Sequence, residues 1–111
     1  MDPVAKEKLE SKFKRAIDFV NNNPANEKVT PVMQLQFYAL FKQATQGPNK
    51  TQPPSRTNIA ERMKWQAWKD LKNLSSEKAM IRYLNELKKQ EPDWKTRASK
   101  EAKKIELRSK L

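Results

Sequence analysis

Twice in its first third this chain places a helix-capping side chain directly before a proline, at Asp2-Pro3 and Thr30-Pro31. No other feature restricts the fold as much. A proline at the first helical position loses no hydrogen bond, because its missing N–H would have had no partner there, and the preceding Asp or Thr oxygen can accept from the open first turn. The other prolines fall mostly between apolar-periodic stretches, and the sequence holds seven prolines, one glycine and 33% charged residues. That distribution disfavours strands and predicts helices joined by proline-marked links.

Four principal helices follow from the periodicity. The first opens at Asp2-Pro3, turns Leu9, Phe13, Ala16, Ile17 and Val20 to a core, and stops at Asn21-Asn22-Asn23-Pro24. The second runs from Pro31 to Gln46 and ends at Gly47-Pro48. At 100° per residue its Met33, Phe37, Leu40 and Ala44 share one face, while Gln34, Phe41, Thr45, Tyr38 and Lys42 lie on another. Two aromatics and a lysine off the core face suit a ligand that is flat and anionic. A long link, 47–57, leads to a third helix, capped by Asn58 with Glu61 three residues on and reaching Lys72. Its apolar arc is Ala60, Ala67, Leu71 and Trp68, edged by Met63 and Trp65, and Lys64 falls in the middle. An ammonium there must reach an anion or snorkel to water. Ser75 or Ser76 caps the fourth helix, whose buried stripe is Ala79, Met80, Tyr83, Leu84 and Leu87. The Tyr83 hydroxyl needs a partner. Pro92 breaks the pattern, and Asp93 can cap a last basic helix. The expected architecture is an all-α four-helix bundle over 1–90 with a basic C-terminal helical extension over 91–111.

The side-chain inventory narrows the chemistry. Cysteine and histidine are both absent from the sequence. Nucleophile–histidine pairs, a histidine base and cysteine-ligated metals are thereby excluded, so no enzyme and no metal cofactor is expected. The net charge of +11 points to an anionic partner. Residues 1–30 carry six basic and five acidic side chains, residues 31–74 seven and two, and residues 75–111 eleven and six. No stretch approaches the roughly 18 apolar residues of a membrane span, and the N-terminus lacks a signal-peptide core. The expectation is a soluble, non-secreted monomer.

The sets Tyr38-x-x-Phe41-Lys42-Gln43-Ala44-Thr45-x-Gly47, Lys64-Trp65-x-Ala67-Trp68 and Ala79-Met80-x-x-Tyr83, in that order, resemble the acyl-CoA-binding protein family from roughly Leu9 to Lys89. The resemblance implies an up-down-down-up bundle that binds medium- to long-chain acyl-CoA thioesters without turnover. It places Tyr38 and Lys42 at the nucleotide phosphates, Lys64 at the CoA head group, Phe41 near the adenine and Tyr83 on the same site. Phe41 stands where the family usually has tyrosine, so the ring is kept and the hydroxyl lost. On the implied acyl side lie Ile17, Gln34, Leu35 and Met63. Here Gln34 replaces a common apolar residue and Met63 a small one.

The sequence ends Ser109-Lys110-Leu111, which reads as a peroxisomal address and implies an import receptor as partner. The expected location is therefore the peroxisome, with the cytoplasm as the alternative. Rival readings are a basic helical protein that binds nucleic acid or an anionic membrane surface. Against nucleic acid, no helix has a continuous basic stripe interleaved with exposed aromatics. Against the membrane, the apolar face of the last helix is thin.

Overall fold

In the computed structural model, residues 2–23 and 27–100 are described. They contain helices α1 (Pro3–Asn22), α2 (Pro31–Gln46), α3 (Ile59–Lys69) and α4 (Ser76–Gln90), and a further helical stretch, α5, that opens at 94 and continues to 100. The helix starts are those the capping residues predict. Asp2 Oδ1 accepts from the Ala5 amide at 2.8 Å, Thr30 Oγ1 from Met33 at 3.2 Å, and Asn58 Oδ1 from Glu61 at 3.4 Å. Of the two serines, Ser75 caps α4 through the Lys78 amide at 3.2 Å. Ser76 instead donates its hydroxyl to the Ala44 carbonyl, fastening the start of α4 to the end of α2. Gly47 closes α2 at φ 80°, a left-handed value that costs a glycine little.

Side-chain pairs fix the helix directions. Along α1 and α4, Lys6 meets Glu77, Phe13 meets Tyr83, and Phe19 meets Trp94 just beyond α4, so these helices run parallel. Ala44 lies near Ser76 and Phe37 near Tyr83, so α2 opposes α4. Tyr38 faces Lys64 and Lys42 faces Trp68, so α2 and α3 run together. The result is an up-down-down-up bundle in which α2 and α4 form the central pair, with α3 on α2 and α1 on α4.

Parallel α2 and α3 require their link to travel back along the bundle, which explains its length. Polar ties hold it there. Trp68 Nε1 donates to the Gly47 carbonyl at 2.9 Å, Trp65 Nε1 to the Thr51 carbonyl at 3.1 Å, and Arg62 Nη1 to the Pro54 carbonyl at 2.8 Å. Asn49, within the link, is buried and donates Nδ2 to the Trp65 carbonyl at 3.1 Å.

The core holds the full α4 stripe of Ala79, Met80, Tyr83, Leu84 and Leu87. Facing it are Leu40 and Ala44 from α2, and Phe13, Ala16 and Phe19 from α1. Each large apolar side chain buried this way contributes about 1.5–3 kcal/mol. Gln43 is completely buried, and its Nε2 donates to the Lys72 and Leu74 carbonyls at 3.0 and 2.8 Å, anchoring the α3–α4 turn.

Two expectations are adjusted. Helix α3 ends at Lys69 instead of Lys72, because Leu71 and Lys72 bond three residues back, to Trp68 and Lys69, and Lys72 takes a left-handed φ of 54°. The core also passes the 1–90 boundary. Trp94 is buried in it and packs on Phe19 with ring centroids 6.2 Å apart, and Ala98 lies against the same cluster. Lys95 reaches Lys12 of α1, and the contact between the two ammonium groups holds Lys12 below its ordinary range.

Candidate functional site

Because α4 runs against α2 and beside α1, their aromatic and amide side chains line an open cavity of about 550 Å³. Ile17, Phe19 and Val20 line it from α1, Gln34, Phe37, Tyr38 and Phe41 from α2, and Tyr83, Leu87 and Gln90 from α4. Asn21, Asn23, Val29 and Glu91 complete the end where α1 and α4 finish and α2 begins. The walls are thus mainly aromatic and aliphatic, with amides gathered at one end.

Tyr83 is 3% exposed and sits edge-on to Phe13 at 5.2 Å and to Phe37 at 5.1 Å. Burial pushes its hydroxyl up to about 12 from an ordinary 10.0. The phenol therefore stays neutral at physiological pH, an uncharged polar group in an apolar wall.

The cations lie at the Tyr38 side. Lys42 Nζ is 5.9 Å from the Tyr38 ring centroid and 5.4 Å from that of Trp68, so the side chain is flanked by two aromatic rings. From α3, Lys64 Nζ comes within 5.6 Å of the same Tyr38 ring. Lys64 also pairs with Glu61 Oε1 at 3.5 Å, with both side chains about half exposed. Such a pair is worth no more than about 1 kcal/mol and yields readily to a more highly charged anion. Among the described residues, Lys42 has no carboxylate partner. Two ammonium groups from different helices thus converge on one aromatic ring at the edge of an apolar cavity. Such a site can pair with phosphate groups while accepting a flat ring beside them.

The residues singled out in the sequence separate into groups. Ile17, Gln34, Tyr38, Phe41 and Tyr83 line the cavity together. Lys42 and Lys64 stand over Tyr38. Leu35 is half-buried and Met63 is 51% exposed, and neither lines the cavity; Ile59, one turn before Met63, is 69% exposed. Ser109, Lys110 and Leu111 lie outside the described residues. Reading the sequence missed Phe19, Asn23, Gln90 and Glu91. They come from the ends of α1 and α4, and only helix direction brings them together. Among the described residues, no three His, Cys, Asp or Glu side chains gather to hold a metal ion, and no helix is long and apolar enough to cross a membrane.

Comparison with known proteins agrees with this arrangement. Residues 10–87 match the family described as Acyl CoA binding protein. The chain is 39% identical over 82 residues to bovine acyl-CoA-binding domain-containing protein 5, an alignment covering 72% of this chain and 15% of the relative. It is 35% identical over 100 residues to acyl-CoA-binding domain-containing protein 1 of Arabidopsis thaliana, covering 87% of this chain and 30% of that one. The chain therefore spans under a third of these relatives' length. Among solved structures, acyl-CoA-binding protein 2 of Oryza sativa superposes with a TM-score of 0.72 at 31% identity, covering 78% of this chain and 91% of that one. The ACBP of Moniliophthora perniciosa gives a TM-score of 0.72 at 32% identity, covering 88% and 95%. With its bundle topology, its aromatic cavity and its lysine pair all in place, the chain belongs to the acyl-CoA-binding protein family.

Proposed function

We propose that this protein binds fatty acyl-CoA thioesters, one per chain, and buffers or carries them without turnover. The carrying observation is the convergence of Lys42 and Lys64 on Tyr38 at the edge of the aromatic cavity. The CoA phosphates pair with the two ammonium groups. The adenine enters between the rings of the cavity, where Phe41 supplies a face without a hydroxyl. A medium- to long-chain acyl tail leaves toward the apolar surface of α2 and α3, where Leu35, Met63 and Ile59 have side chains to cover. Each buried methylene adds about 0.8 kcal/mol. Titration of the full chain with acyl-CoA, CoA and free fatty acid tests the reading.

The proposed place of action is the peroxisome. We propose that the Ser109-Lys110-Leu111 tripeptide is read by the import receptor and that the bound acyl-CoA pool serves fatty-acid metabolism there.

A further inference from the structure

Three side chains of the cavity wall, Phe19, Asn23 and Glu91, all touch a single residue that does not line the cavity, Arg97. Its guanidinium donates to Glu91 Oε2 at 2.8 Å and, at a longer 3.5 Å, to Asn23 Oδ1. Its central carbon lies 5.0 Å from the centroid of the Phe19 ring. Asn23 is held from its other side, donating Nδ2 to the Phe19 carbonyl at 2.8 Å. The segment that carries Arg97 is docked by the buried Trp94, which packs on the same Phe19 ring. Glu91, Trp94 and Arg97 all lie beyond residue 87, where the family match ends.

Glu91 is the one carboxylate among the side chains described as lining the cavity. A bare carboxylate there would repel a ligand that carries several phosphates, and because the Glu91 side chain is partly exposed that repulsion is strongest at low salt. Arg97 covers it through a single charge-assisted contact, Nη1 to Oε2 at 2.8 Å.

We propose that Arg97 is a positioning residue of the ligand cavity: by neutralising Glu91 and fixing Asn23 and Phe19, it makes the end wall tolerant of an anionic nucleotide. The ligand site of this chain thus includes a C-terminal segment outside the matched family domain. The inference rests on the acyl-CoA reading given above and deepens it.

The test is calorimetric titration of a long-chain acyl-CoA into the full chain and into Arg97→Ala, Arg97→Lys, Glu91→Gln and the Arg97→Ala/Glu91→Gln pair. Arg97→Ala should weaken binding about five-fold at low salt, and by less at high salt. Arg97→Lys keeps a cation beside Glu91 and should lose less than Arg97→Ala, whereas Glu91→Gln removes the carboxylate itself and should tighten binding about two-fold at low salt. The double variant should recover most of the affinity lost in Arg97→Ala. Lost packing alone cannot account for that recovery, since Glu91→Gln restores no contact to Phe19. An Arg97→Ala protein that binds as tightly as the unaltered one would overturn the proposal, as would a double variant as weak as Arg97→Ala. If the unaltered chain fails to bind acyl-CoA, the functional reading falls and takes this inference with it. If it binds and Arg97→Ala matches it, only the inference falls.

Discussion

Lys64 Nζ lies 5.6 Å from the centroid of the Tyr38 ring, so a lysine in the middle of the α3 apolar arc points across to α2 and not into the core. The arc itself is thinly covered: Trp68 is the buried residue of α3, whereas Met63 and Ile59 are exposed. The ammonium is therefore neither stranded nor fully solvated. It stands at the rim of the cavity with Glu61 as its partner.

That placement predicts the behaviour of the lysine pair. Lys42→Ala and Lys64→Ala should each weaken acyl-CoA binding about ten-fold, the lower range for a charge-assisted contact, while circular dichroism shows unchanged helix content. Glu61→Gln, which frees Lys64 from its competitor, should tighten binding about two-fold at low salt. Raising the salt concentration should weaken binding to the unaltered protein more than to either lysine variant.

Tyr83 predicts an alkaline weakness. Its folded value of about 12 lies above the ordinary 10.0, so the folded protein keeps a proton that the unfolded chain releases. The corresponding stability is complete below pH 10 and is lost as pH rises through about 12, by at most about 3 kcal/mol. Urea unfolding across this range should show a steeper decline for the unaltered protein than for Tyr83→Phe. Parallel declines would contradict the assignment.

Trp94 predicts that the bundle depends on residues past α4. With 3% exposure and its ring against Phe19, Trp94→Ala should cost about 3–5 kcal/mol of stability, measured by chemical denaturation. A cost below about 1 kcal/mol would mean that the segment adds little to the core.

The helix starts were legible in the sequence because each rests on a local device, a capping oxygen or a proline, that acts within four residues. The α4 stripe was legible for a similar reason, since amphipathic spacing declares its own face. The end of α3 was not: Lys72 takes a left-handed φ without the glycine that ordinarily signals it. Trp94 was hidden by its charged neighbours, because its burial depends on Phe19, 75 residues earlier in the chain. Phe19 in turn lies between Ile17 and Val20, on the α1 face that meets Trp94. In the candidate site, helical spacing already set Tyr38, Phe41, Lys42 and Lys64 apart and the buried hydroxyl marked Tyr83, while the motif resemblance supplied their roles. The amide-rich end wall needed helix directions, which no spacing within one helix contains.

Localisation gives a separate prediction. A fluorescent protein fused to the N-terminus, leaving Leu111 free, should give punctate fluorescence coincident with a peroxisomal marker. Deleting Ser109-Lys110-Leu111 should make the signal diffuse. Diffuse signal from both fusions would remove the peroxisomal proposal without touching the binding site.

The central claim is that one molecule of acyl-CoA is held at both its nucleotide and its acyl parts. Isothermal titration calorimetry of the full chain with acyl-CoAs of increasing length, beside CoA and free fatty acid, tests it directly. The predicted result is one site per chain, with the thioester tighter than either half and affinity rising with each added methylene until the apolar surface is filled. Free fatty acid binding as tightly as its CoA thioester would contradict the account.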